Sequence, residues 1–170
     1  MKRPQTAIGL AIAFSIFTAT CLASEKVDVW GVDIIKYGSY RTKTEQIEYI
    51  TETPGGRCHI VRETEFIEQT FRIPAILGIR FGFRYRINGT PEGKIVPIRI
   101  KKIYPGLKDP MKPNVIYSHD YVGTHEIGHV YGTGYGFDHA WELVTGMWTF
   151  QLLYEGKILG EISFEVYKTK

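Results

Sequence analysis

Between Trp148 and Val166 the chain reads WTFQLLYEGKILGEISFEV, with apolar and polar residues in near-strict alternation. A period of two is the signature of a strand with one face in a core, and two such runs joined by a short turn make a hairpin. Trp148, Phe150 and Leu152 point one way, and Thr149 and Gln151 the other. After the turn, Ile158, Ile162, Phe164 and Val166 share a face with Gly160. A two-residue Glu155-Gly156 loop pairs even with odd positions and sets Phe150 against Glu161. A three-residue loop, Tyr154-Glu155-Gly156, keeps the apolar faces together. The expectation is therefore the three-residue loop, with Trp148 opposite Ile162, Leu152 opposite Ile158, and Gly160 making room for the Phe150 ring.

A chain built on such a hairpin needs more strands, and the sequence supplies them. VDVWGVDIIKYGSYR, within Lys26 to Arg41, reads as a first strand bent at Gly31, and Thr42 to Thr53 as a second. Pro54-Gly55-Gly56 is a turn signal. Cys58 to Val61 opens a further strand that Glu63 to Phe71 can extend, and Ile73-Pro74 bars a central position at the proline. From Arg80 to Asn88, Phe81, Phe83, Tyr85 and Ile87 line one face while Gly82, Arg84 and Arg86 line the other. Asn88-Gly89 reads as a turn, with Thr90 to Gly93 lengthening it. Val96, Ile98 and Ile100 alternate with Arg99 and Lys101. Tyr104 to Asn114, with three of the prolines, reads as a loop and as the first candidate binding surface. Val115 to Val122 completes the strands. Many short strands punctuated by turns predict an all-β, immunoglobulin-like antiparallel β-sandwich.

The N-terminus carries Lys2 and Arg3, an apolar run from Ala7 to Phe17, and small residues up to Ala23. This is the layout of a cleavable signal peptide over residues 1–23, leaving one domain over 24–170. The apolar run falls short of the ~20 residues of a spanning helix, so no transmembrane segment is expected in the mature chain. Lipidation at Cys21 is the lesser alternative, because Thr18-Ala19-Thr20 is a poor lipobox. The address is periplasmic or secreted. Cleavage removes Lys2 and Arg3 and takes the net charge from +3 to +1. No basic run is interleaved with aromatics, so nucleic acid is not an expected partner. Cys58 is the lone cysteine of the mature chain and reads as a small strand residue rather than a nucleophile.

His125-Glu126-Ile127-Gly128-His129 matches H-E-x-x-H. On a helix, histidines four apart share a face and can hold zinc, with the glutamate as general base. His125 and His129 are thus the alternative metal ligands, Glu126 the alternative catalytic residue, and zinc the alternative cofactor of a metalloprotease-like hydrolase. Against this, Tyr135 occupies the place of a third histidine, and His119, His139 and Glu142 lack matching spacing. Gly128, Gly132, Gly134 and Gly136 also weaken a helix by ~1 kcal/mol each. An exposed loop or strand is the expected setting. Trp141 and Trp148 are expected as a core pair, with a carbohydrate-binding platform as the alternative. Glu142 is expected to bind a neighbouring backbone amide or an arginine such as Arg84.

The runs FIEQTFRIPAILGIRFGFRYRINGTPEG, YPGLKDPMKP and GYGFDHAWELVTGMWTFQLLYEGKILGEISFEV together resemble the bacterial family called domain of unknown function 3859. The resemblance extends from about Gly31 to Val166. It implies a secreted or periplasmic, all-β protein with no assigned activity, and it carries no functional residues and no requirement for H-E-x-x-H. The expected role is a non-enzymatic module binding an unknown protein or envelope component, with the zinc hydrolase and a structural module of an envelope assembly as alternatives.

Overall fold

The structure is a computed structural model that describes residues 25–49, 53–54 and 57–169. Residues 1–23, expected as a signal peptide, lie outside the described residues. Among the described residues nine strands form two sheets: β1 (Asp28–Tyr49), β2 (Arg57–Glu68), β3 (Arg72–Pro74), β4 (Arg80–Thr90), β5 (Ile95–Leu107), β6 (Ile116–Glu126), β7 (Val130–Gly136), β8 (Gly146–Tyr154) and β9 (Lys157–Tyr167). The four-stranded sheet runs β2-β1-β4-β7 and the five-stranded sheet β3-β9-β8-β5-β6. All pairs are antiparallel except β3 with β9. The expected all-β, immunoglobulin-like sandwich is what forms. No α-helix occurs among the described residues, and none is long and apolar enough to cross a membrane.

The core lies between the sheets and comes from alternate positions on their central strands. Phe81, Phe83, Tyr85 and Ile87 of β4 face Val96, Ile98 and Ile100 of β5, Trp148, Phe150 and Leu152 of β8, and Ile162, Phe164 and Val166 of β9. Phe81 meets Trp148 edge-on at 5.8 Å, and Phe150 meets Phe164 edge-on at 5.8 Å. Each such pair adds ~0.5–1.5 kcal/mol beyond the area it buries.

The C-terminal hairpin differs from the sequence expectation. Its loop is the two-residue Glu155-Gly156, with Tyr154 opposite Lys157 and both loop residues at positive φ, 48° and 82°. A register shift between Leu152 and Leu153 then inserts Leu159 as an extra residue in β9. A bulge advances one strand by a residue and flips its phase. It therefore brings Trp148 opposite Phe164, Phe150 opposite Ile162 and Leu152 opposite Gly160. Ile158 lies before the bulge and is half-exposed, not in the core. Gly160 makes room for Val32 of the other sheet, whose Cγ2 sits 2.3 Å from where a Cβ would stand.

Other expectations shift in the same way. The two N-terminal strands are one long strand, β1, kept in pairing by bulges instead of being broken. Asn88-Gly89 lies inside β4, opposite Gly31 and Val29, and the turn comes later, where Lys94 N–H donates to the Pro91 carbonyl. The strand β5 continues through Tyr104 and Pro105 to Leu107, because the gap in its pairing with β6 between Ile103 and Leu107 accommodates the proline. The loop expected from Tyr104 thus narrows to 108–115. Pro74 ends the edge strand β3, as the sequence requires. Cys58 falls on β2 opposite Glu48; its side chain lies outside what is described.

Candidate functional site

The H-E-x-x-H segment forms the crossing from one sheet to the other, not a helix. His125 and Glu126 end β6, Ile127 to His129 turn, and Val130 begins β7. The turn is held by backbone bonds: Ile127 N–H donates to Lys94 O, Gly128 N–H to Ile87 O, and Gly93 N–H to Ile127 O. Gly128 sits at φ 87°, where a side chain is strained. The zinc reading needs helical spacing to bring both imidazoles to one side, and this backbone does not provide it.

The two histidines part company. His125 is buried, and its Nε2 lies 2.8 Å from the Tyr85 hydroxyl. Its Nδ1 side faces Gly123, where a Cβ would press on the ring at 2.8 Å from Cε1. Burial lowers the pKa of His125 from its ordinary value and raises that of Tyr85, so both are neutral at pH 7. His129 and Glu126 are exposed. Tyr131 stands between the imidazoles, its ring 4.3 Å from that of His125 and 5.2 Å from that of His129. Its hydroxyl oxygen accepts the Glu126 N–H at 2.8 Å. Among the described residues no group of three or more His, Cys, Asp or Glu side chains is placed to hold a metal ion.

The other polar constellation singled out by sequence is structural. Glu142 is buried beside a 3-10 turn, Ala140–Glu142. Its Oε2 accepts the Asp138 and His139 N–H groups, each at 2.7 Å, and its Oε1 accepts the Tyr135 hydroxyl at 2.7 Å. The expected backbone amide is thus the partner, not Arg84. Burial raises the Glu142 pKa against the lowering effect of those bonds. Trp148 is fully buried, and its Nε1–H donates to Val144 O at 3.0 Å. Its ring neighbours are Phe81, Tyr104, Tyr135 and Phe137, while the partly buried Trp141 stacks on His139. The expected pairing of the two tryptophans is replaced by these contacts.

Beside the 127–128 turn lies a cleft of about 250 Å³, lined by Trp30, Asp33, Ile87, Asn88, Gly89, Glu92, Ile127 and Gly128. Ile127 and Ile87 form its buried floor, and Trp30 is 56% exposed. Trp30 is not among the candidate residues that periodicity and motifs pick out. The pairing of β1 with β4 shifts between Val29 and Gly31, so Trp30 is the unpaired residue of a bulge. Bulges re-aim side chains, and this one turns an indole out beside Asp33 and Glu92. The signal was present in Val29-Trp30-Gly31-Val32, where apolar alternation slips phase.

Over 85% of its length the chain superposes on 99% of an immunoglobulin-like protein from Pseudomonas aeruginosa, with a TM-score of 0.57 and 24% sequence identity. That likeness shows the fold. No curated protein matches the chain. The family model "Domain of unknown function (DUF3859)" matches residues 29–166, and the chain belongs to that family.

Proposed function

We propose that this protein is a non-enzymatic binding module of the bacterial envelope, and that the Trp30 cleft binds a saccharide. The observation that carries the reading is an exposed indole turned out by a bulge beside two carboxylates and an amide, over an apolar floor. An indole stacks on the apolar face of a sugar ring, and carboxylates and amides hydrogen-bond its hydroxyls. Trp148, fully buried, and Trp141, partly buried, do not form the exposed platform that the carbohydrate-binding alternative at those two residues needs. The N-terminal charge-apolar-small pattern supports a periplasmic or secreted address, where envelope glycans are at hand.

The chemistry-bearing side chains inside the fold favour binding over hydrolysis. His125 is held by Tyr85, and Glu142 by two backbone amides and Tyr135. The test is equilibrium binding of soluble envelope polysaccharide and peptidoglycan fragments, read by calorimetry, beside Trp30→Ala and Asp33→Asn. Binding lost in both variants at unchanged melting temperature supports the reading. Binding that survives Trp30→Ala, or no binding to any fraction, overturns it.

A further inference from the structure

We infer that β6 is a self-association edge, pairing with β6 of a second copy of this chain across a two-fold axis. Edge strands expose a row of backbone N–H and C=O groups that another strand can take up, and folds usually shorten, cover or interrupt them. The three other edges among the described residues show such protection, and on β2 the pairing with β1 is interrupted by three register shifts. The strand β3 has three residues and ends in Pro74. On β7, Lys102 Nζ donates to the Gly134 carbonyl at 2.7 Å, and the Tyr121 hydroxyl lies 3.5 Å from Thr133 Oγ1.

The strand β6 is different. It runs for 11 residues, contains no proline, and keeps unbroken register with β5 from Ser118 to Glu126. Its other side pairs with no strand among the described residues. It nevertheless carries Tyr117 at 62%, Tyr121 at 40% and Val122 at 55% exposure.

The second copy is singled out by the strand's own order of residues. A two-fold axis normal to a sheet keeps each face on its own side, so antiparallel self-pairing must centre on a residue. Centring on Asp120 sets Ile116 against Thr124 and Val122 against Ser118, and centring on Tyr121 sets Ile116 against Glu126. Centring on His119 sets His119 against its own copy, Ile116 against Val122, Tyr117 against Tyr121, and Ser118 against Asp120. Apolar residues then meet on one face and aromatic residues on the other, the cross-strand pairs that stabilise sheets. Asp120 is already bound by Arg99 within its own chain, so it brings no bare charge to the junction. Two copies joined this way form one continuous sheet.

Charge swapping tests both the contact and its register. The purified protein, I116E, V122K and the I116E/V122K double variant are examined by sedimentation equilibrium from about 10 μM to about 1 mM, with circular dichroism as the check on folding. In the proposed register the introduced acid and base lie across the junction from each other, and within one chain they are too far apart along the strand to pair. The wild type should sediment as a dimer, each single variant should raise the dissociation constant at least about tenfold, and the double variant should recover the dimer. A monomeric wild type throughout the range overturns the inference, leaving the edge to an extended segment of another protein. Folded single variants that stay dimeric, or a folded double variant that stays monomeric, overturn it equally. Saccharide binding at the Trp30 cleft is independent of all these outcomes.

Discussion

The hydroxyl of Tyr85 and the Nε2 of His125 meet at 2.8 Å inside the sandwich, linking β4 of one sheet to the end of β6 in the other. Removing one partner from a buried pair leaves the other unsatisfied, at ~1–3 kcal/mol. Tyr85→Phe and His125→Ala are each expected to lower unfolding free energy by at least that much, read from urea denaturation. A double variant less destabilised than the sum of the singles would show their coupling.

The same burial fixes a pH dependence. The folded pKa of His125 lies below its unfolded value of about 6.5, so below that pH the unfolded chain binds more protons than the folded one. The contribution is fully present above about pH 6.5 and is lost progressively as the pH falls towards the folded pKa. The slope of stability against pH in this window should flatten in His125→Gln; an unchanged slope would assign it to other groups.

The two histidines of H-E-x-x-H should behave oppositely. His129→Ala and Glu126→Gln, at exposed positions, are expected to stay within about 0.5 kcal/mol of wild type, while His125→Ala is strongly destabilising. A shared zinc site would instead make His125→Ala and His129→Ala lose metal and stability together. Elemental analysis of the protein purified in metal-free buffer, with melting temperatures before and after chelator, decides between these.

Glu142 accepts three hydrogen bonds through two oxygens. A glutamine offers one acceptor oxygen and turns two donors toward one of those sets. Glu142→Gln should therefore destabilise the fold by ~1–3 kcal/mol, with Glu142→Ala at least as damaging. Thermal unfolding followed at the buried Trp148 reads both, and a neutral Glu142→Gln would mean that the cluster is dispensable.

Gly160 stands where a Cβ would come within 2.3 Å of Val32 Cγ2. Gly160→Ala must push the sheets apart or displace Val32, at ~1–3 kcal/mol for an overpacked core. Gly156, in the turn at φ 82° with nothing within 4 Å, meets no neighbour on substitution and is penalised only by left-handed backbone strain. Gly156→Ala should cost ~1 kcal/mol, and the companion variant Gly160→Ala/Val32→Ala should recover part of the core loss.

What the sequence determined by itself was which faces are apolar. Alternation from Phe81 to Ile87, from Val96 to Ile100 and through Trp148 to Val166 is a local property, set by a two-residue period and readable without knowing any partner strand. It was enough for an all-β sandwich, for the buried faces of β4 and of β5 from Val96 to Ile100, and for the buried Trp148. What only the tertiary structure decided was register. Leu159 bulges because the apolar faces must match after a two-residue loop, and Trp30 bulges where β1 meets β4. Both are settlements between strands, and no single strand carries them. The same holds for His125: its segment reads as an exposed loop or strand, while the Tyr85 that meets it in the core lies 40 residues earlier in the chain, brought near only by the stacking of two sheets.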